Sequence, residues 1–218
     1  MPMREVTVDG TQLPVRIVGP AAAAATLVLA HGAGSSMRHP SLVRLQDGLA
    51  ARGTTVVTFD FPYRARGSGA PDRMPVLVAA YAAVVAAVRP DRPARLFVGG
   101  RSLGGRAASH LAAEGTPVDG LVFVAFPLHP PGKPGTSRAD HLAVIRAPML
   151  FVQGTRDTFA QWDLLTSVIG KLPAATLHTI PDADHGLHVP KRSGRTDAQV
   201  LDETIATITE WIARVPGR

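Results

Sequence analysis

The chain contains no cysteine, which excludes disulfide bonds, thiolate metal sites and a cysteine nucleophile. Lysine occurs only at Lys133, Lys171 and Lys191, so arginine carries nearly all the positive charge behind the formal net charge of +6. No basic run is interleaved with aromatic residues, and we therefore expect no nucleic acid partner. The longest apolar tract near the N-terminus, residues 21–30, is too short to span a bilayer. We expect no signal segment, no membrane association and a cytoplasmic location.

What is present is typical of a globular protein, with 45% hydrophobic and 18% charged residues in 218 positions. We expect one domain, residues 1–218. Residues 6–8 and 13–18 predict an N-terminal hairpin across Asp9-Gly10. Short apolar runs then alternate with helical patterns. Strands are predicted at 26–30, 55–59, 95–98, 121–125, 149–152 and 176–180, and helices at 42–52, 76–89, 103–114, 161–169 and 197–215. This alternation predicts an α/β fold, with a mostly parallel central sheet and helices on both faces.

A proline- and glycine-rich insert, residues 127–140, interrupts this alternation. It is too short to form a separate lid domain. Loops at the carboxyl ends of parallel strands often line binding sites, so we expect this irregular segment to line one.

The segment Gly100-Arg101-Ser102-Leu103-Gly104 lies between a predicted strand and a predicted helix. A G-x-S-x-G in this context is typical of the nucleophile elbow of α/β-hydrolases. Ser102 must adopt a strained backbone on a sharp turn, and the positions two before and two after it approach too closely for a Cβ atom. Because the chain is rich in glycine, the motif alone is weak evidence and its context has to decide.

A serine nucleophile needs a histidine base, and the base needs an acid that fixes its tautomer. On this scaffold the order is serine, acid, histidine. Asp157 follows the strand predicted at 149–152, and His185 follows the strand predicted at 176–180. Alternatives stay open at this point. Asp157 could cap the helix beyond it, Asp184 could be the acid, and His188 could be the base.

The oxyanion of the reaction requires two backbone N–H donors. Leu103 follows the nucleophile at a helix N-terminus, and Ala33 lies in the loop after the first parallel strand. We expect these two residues to form the oxyanion hole. His31, Arg64, Arg101 and His129 are further candidates for substrate binding.

The arginines near the expected site have two interpretations. Arg64, Arg66, Arg101 or Arg106 could recognise an anionic group of the substrate. Alternatively, they could brace the elbow or form ion pairs with acidic neighbours such as Asp60 or Asp72.

Five stretches of the sequence, spread over most of the chain, resemble a known group of proteins. They are residues 30–34, 59–63, 99–106, 129–134 and 151–157. The chain resembles the small, lidless α/β-hydrolases related to the testis-expressed hydrolase-like protein and to the α/β domain of a chromatin acetyltransferase-complex subunit. Dienelactone-hydrolase-like enzymes are more distant relatives by this resemblance. It implies an α/β-hydrolase fold without a lid and a Ser102–Asp157–His185 triad, but no particular substrate.

The motifs together predict a serine hydrolase that acts through an acyl-enzyme, most simply on a small-molecule carboxylic ester. Such chemistry needs no metal and no organic cofactor, so we expect neither. An amidase or acyltransferase with the same triad is an alternative. A non-enzymatic binding or scaffold protein on the same fold is another, since fold alone does not fix function.

Overall fold

The computed structural model describes residues 3–8, 10–89 and 95–217. Eight strands form one sheet in the order β1-β2-β4-β3-β5-β6-β7-β8. The strands are β1 Met3–Val8, β2 Thr11–Val18, β3 Ala25–Ala30, β4 Thr55–Phe59, β5 Arg95–Arg101, β6 Gly120–Val124, β7 Met149–Gly154 and β8 Ala175–Ile180. β1 pairs antiparallel with β2, and β2 with β4, whereas the pairs from β4 to β8 are parallel. The predicted N-terminal hairpin is therefore present, although Asp9 of its turn lies outside the described residues.

Helices cover both faces of the sheet, as predicted. They are α1 Pro40–Ala51, α2 Pro62–Ala65, α3 Met74–Val88, α4 Leu103–Ala113, α5 Trp162–Ile169 and α6 Asp197–Arg214, with 3-10 helices at Ser137–Val144 and Lys191–Ser193. Successive strand residues point to opposite faces: Val28 packs with α3 and α4, and Leu27 packs with α1 and α6. No helix in the described part of the chain is long and apolar enough to cross a membrane.

The element boundaries differ from the predictions at several points. α1 begins at Pro40, two residues before the predicted start at residue 42, with His39 as its N-cap. The insert 127–140 is not irregular to its end, because a 3-10 helix begins at Ser137. β5 continues to Arg101 instead of ending at Val98. Pro90, which follows the helix predicted at 76–89, lies outside the described residues.

The 3-10 helix Ser137–Val144 packs against α4, and His141 makes polar and ring contacts between them. The His141 Nε2 lies 2.7 Å from the Ser109 Oγ, and the His141 ring stacks on His110 with centroids 3.7 Å apart. Burial, together with the nearby charges of His110 and Arg106, lowers the pKa of His141 to about 4. His141 is therefore a neutral packing group at physiological pH.

We expect the protein to lose stability as the pH falls from about 6.5 to about 4, because in this range His141 takes up a proton only when the chain unfolds. Such a shift would be worth ~3 kcal/mol for a fully buried ring, and solvent screening of this partly exposed one reduces it to ~1 kcal/mol. Urea midpoints at pH 7 and pH 4.5 should show a smaller pH-dependent loss in His141→Gln than in the wild type. Equal losses in the two proteins would contradict this account.

Candidate active site

Ser102 lies on the sharp turn between β5 and α4, with a φ of 51° and a ψ of −115°. This left-handed backbone is strained for a serine, at a cost on the order of 1–3 kcal/mol. The turn is held by the Ser102 N–H, which donates to the Val124 carbonyl at 2.9 Å. A Cβ atom at Gly100 would lie 2.5 Å from the Gly104 carbonyl carbon, and one at Gly104 would lie 2.3 Å from the Ala30 carbonyl oxygen. Both glycines are therefore required by close packing, as the motif predicts.

The structure brings Ser102, His185 and Asp157 together in one hydrogen-bonded chain. The Ser102 Oγ lies 2.8 Å from the His185 Nε2, and the His185 Nδ1 lies 2.8 Å from the Asp157 Oδ2. Asp157 follows β7 and His185 follows β8, so the carboxyl ends of parallel strands place all three groups at one edge of the sheet. The carboxylate partner assigns the proton to Nδ1 and leaves Nε2 to accept from the serine hydroxyl.

Buried hydrogen bonds hold the Asp157 carboxylate in place. Its Oδ2 also accepts from the Gln153 Nε2 at 2.6 Å, and its Oδ1 accepts from the Phe159 N–H at 2.7 Å. Gln153 is fully buried, and its Oε1 accepts from the Phe126 N–H at 2.8 Å. Gln153 is thus fixed at both ends, and it fixes the orientation of Asp157 in turn.

The alternatives left open by the sequence are placed elsewhere. Asp184 Oδ1 accepts from the backbone N–H groups of Gly186 and His188, so this carboxylate shapes the loop that carries His185. The His188 Nδ1 lies 2.9 Å from the Asp197 Oδ2 at an exposed site, and this hydrogen bond raises the pKa of His188. Neither residue reaches Ser102 through any hydrogen bond of the described residues.

The substrate contact expected of His129 stays a prediction, and the structure shows how its side chain is held. The His129 side chain is buried, with its Nδ1 2.9 Å from the Pro130 carbonyl oxygen and its Nε2 accepting from the Gln161 N–H. Its backbone N–H donates to the Phe159 carbonyl, and the Phe159 ring stacks on His185 with centroids 4.2 Å apart. His129 therefore ties the insert to the loop that packs against His185.

His31 likewise has both ring nitrogens engaged by the backbone, and its expected substrate contact stays a prediction. Its Nδ1 donates to the Gly32 carbonyl at 2.8 Å, and its Nε2 accepts from the Phe61 N–H at 3.1 Å. Burial lowers the pKa of His31, which keeps the ring neutral for these two bonds. Asp60 accepts from the Met37 N–H at 2.7 Å, and so fixes the far end of the same loop.

The loop after β3 and the start of α4 border the Ser102 hydroxyl. A Cβ atom at Gly32 would lie 3.6 Å from the Ser102 Cβ, so this loop passes directly beside the elbow. Ala33 follows Gly32 and is exposed, and Leu103 is the first residue of α4. The first N–H groups of a helix have no acceptor within the helix, so both sides of Ser102 present backbone close to its hydroxyl.

Three of the four arginines considered from the sequence have structural partners. Arg66 forms an ion pair with Asp72 at 2.8 Å, and Arg64 donates to the Ser68 carbonyl at 3.2 Å. Arg101 donates to the His185 carbonyl at 2.9 Å and so braces the histidine loop. These contacts do not involve Arg106. The substrate contacts expected of Arg64 and Arg101 stay predictions.

A cavity of about 300 Å³ lies between the N-terminal ends of α1 and α6, behind the histidine loop. Arg101, Gly186 and Leu187 are among its lining residues, and the first two are the sequence neighbours of Ser102 and His185. Ser102 itself is 9% exposed, and the side chain of His185 is 19% exposed.

Sequence reasoning missed Gln153, Phe159 and Asp60 as supports of the site. The only local signal was position, since each follows or ends a strand at the carboxyl edge of the sheet. Their partners lie on other loops, and no local pattern shows which loops will meet.

Comparison with known proteins agrees with this fold. The model of the Alpha/beta hydrolase domain family matches residues 23–213, so the chain belongs to this family. The structure is similar to XC6422 from Xanthomonas campestris, described as an α/β serine hydrolase without a lid, with a TM-score of 0.77 and 23% identity over 100% of this chain and 96% of that one. It is also similar to dienelactone hydrolase from Anabaena variabilis, with a TM-score of 0.77 and 20% identity over 99% of this chain and 98% of that one. A third similar structure is Est1E from Butyrivibrio proteoclasticus, with a TM-score of 0.76 and 16% identity over 97% of this chain and 99% of that one.

These likenesses identify the architecture as the α/β-hydrolase fold, with no separate lid domain among the described residues. The family and the structural neighbours do not single out the testis-expressed and chromatin-subunit group within it.

Proposed function

We propose that the protein is a serine hydrolase that cleaves carboxylic esters through an acyl-enzyme on Ser102. The observation that carries this proposal is the hydrogen-bonded chain from the Ser102 hydroxyl through His185 to the buried Asp157 carboxylate. A scaffold protein would have no use for a serine held on a strained turn beside a base whose tautomer is fixed.

In the proposed reaction the Ser102 Oγ attacks the acyl carbonyl while the His185 Nε2 takes its proton. The imidazolium that forms is stabilised by Asp157 and gives the proton to the leaving alcohol. Water then attacks the acyl-enzyme with His185 again as base, which releases the acid and restores the serine. The bonds formed and broken balance without a metal or an organic cofactor.

The oxyanion in this mechanism would be held by the backbone N–H groups of Ala33 and Leu103. They belong to the two segments that border the hydroxyl, and the N-terminus of α4 adds a favourable dipole. Phe159 would hold the orientation of the His185 ring by stacking on it. Gln153 would hold the Asp157 carboxylate in the orientation that reaches the same ring.

An ester is the substrate class favoured over an amide because the described residues include no separate lid domain. Without a lid, fewer contacts are available to distort and hold a poorly reactive acyl group, and activated esters need the least of this help. The names of the structural neighbours point the same way, since they include an esterase domain and a ferulic acid complex of Est1E.

The direct test is labelling of the folded protein with a fluorophosphonate, followed by a series of 4-nitrophenyl esters of increasing acyl length. We expect a single adduct on Ser102, identified by peptide mass spectrometry, and measurable turnover of short esters. Anilides of the same acids and transfer to added alcohols would distinguish an amidase or an acyltransferase. A protein that is folded, takes no label and hydrolyses no ester would refute the proposal and favour a binding role.

A further inference from the structure

Arg106 and Arg138 face each other across the contact between α4 and the 3-10 helix Ser137–Val144. The register follows from the stacked pair of His110 and His141. Arg106 lies four residues before His110 on an α-helix, and Arg138 lies three residues before His141 on a 3-10 helix, so each arginine lies one turn back on the same side as its histidine. The two helices run in the same direction, because the residues that follow each of them, 115–118 and 145–147, line one cavity. The two arginines therefore lie on the same side of the histidine stack, close enough for the charge of Arg138 to act on Arg106.

This arginine pair has no acidic partner. No ion pair of the described residues involves Arg106 or Arg138, and neither side chain donates a hydrogen bond within that part of the chain. The Nε atom of Arg106 is fully buried without an acceptor. Burial and the charge of Arg138 lower the pKa of Arg106 to about 10, so both remain cationic at neutral pH. Two like charges with an unsatisfied buried donor are unfavourable unless an anion joins them.

The pair lies on the Ser102 side of the histidine stack. Arg106 is four residues after Ser102, which is about 6 Å along the axis of α4, and its N–H donates to the Ser102 carbonyl. Arg138 comes from the segment that follows β6, at the same edge of the sheet. The other arginines near the site are already engaged by Asp72, Ser68 or the His185 carbonyl.

We propose that Arg106 and Arg138 form a subsite for a carboxylate, one turn of α4 away from the reactive serine. Guanidinium groups match a carboxylate through paired N–H donors. The carboxylate could belong to the ester itself, in an acyl chain that ends in an acid, or to a separate small acid bound beside the substrate. The first source rests on the proposed esterase function, whereas the second does not.

The kinetic experiment compares 4-nitrophenyl hemiadipate with neutral 4-nitrophenyl heptanoate, after subtraction of the uncatalysed rates. We expect the wild type to favour the anionic ester in kcat/KM by about tenfold or more, the range for hydrogen bonds to a charged group. Arg138→Gln should bring the ratio of the two kcat/KM values close to one. Arg146→Gln is the matched control, because Arg146 is an exposed arginine two residues beyond the same 3-10 helix.

The binding experiment titrates adipate into the wild type, Arg138→Gln, Arg146→Gln and Arg106→Lys by calorimetry, with circular dichroism to confirm folding. Binding lost in Arg138→Gln and kept in Arg146→Gln supports the subsite even if the protein hydrolyses no ester, which separates this inference from the proposed function. Adipate binding without a kinetic preference identifies a separate acid as the source. A ratio of kcat/KM values unaffected by Arg138→Gln, together with no adipate binding to the wild type, would overturn the proposal.

Discussion

Replacing Ser102 by alanine is expected to lower kcat for a 4-nitrophenyl ester by about three orders of magnitude or more. The substitution removes the hydroxyl that lies 2.8 Å from the His185 Nε2. What remains is oxyanion stabilisation and substrate binding, which leave a small residual rate. Adduct formation with a fluorophosphonate should disappear in the same variant.

The fold should survive this change, because it removes only the Oγ atom and leaves the Cβ atom of the elbow in place. The strained turn is held by the Ser102 backbone and by the neighbouring glycines, and alanine keeps the same backbone. Thermal melting should therefore shift by only a few degrees at most. Ser167→Ala, on the exposed face of α5, is the matched control and should keep full activity. A Ser102→Ala protein that still turns over the ester would place the nucleophile elsewhere.

The architecture could be predicted because its signals are local. Strands buried on both faces give continuous apolar runs, as in β3 and β6, and these were found to within a residue or two. The end of β5 was missed because glycine is a poor strand former. A Cβ atom at Gly99 would lie 2.1 Å from the Val122 carbonyl oxygen, so the pairing of β5 with β6 requires glycine there. Packing between strands, which a local pattern does not record, overrides propensity.

The meeting of Ser102, Asp157 and His185 was predictable from topology, since each follows its own strand of one parallel sheet. The roles of His31 and His129 were not. A neutral imidazole offers one donor and one acceptor, and in both residues these bridge two backbone groups, one of them on a distant loop. Such a bridge depends on which loops come together. The sequence therefore could not show that these two histidines support loops near the site, and the substrate contact expected of them stays a prediction.

Asp157→Asn is expected to lower kcat by three to four orders of magnitude, close to the effect of losing the nucleophile. The reason lies in the donors around the carboxylate, which arrive from His185, Gln153 and Phe159. An asparagine that keeps its oxygen on the Phe159 N–H must turn its NH₂ group toward His185, which then holds its proton on Nε2 and cannot accept one from Ser102. If the asparagine amide were flipped, its NH₂ group would face the Phe159 N–H, and two donors would meet without an acceptor. Gln153 cannot reverse to relieve the conflict, because its own Oε1 is held by the Phe126 N–H.

Two companion variants make this result specific to the acid. Asp184→Asn should keep most of the activity, because an amide oxygen can accept from the Gly186 and His188 N–H groups as the carboxylate does. Gln153→Met should lower kcat/KM by about tenfold, since Asp157 loses one buried donor but keeps its bond to His185. Steady-state kinetics of the three proteins, with circular dichroism to confirm folding, would decide. If Asp184→Asn were the damaging change and Asp157→Asn harmless, the acid that orients His185 in solution would be Asp184.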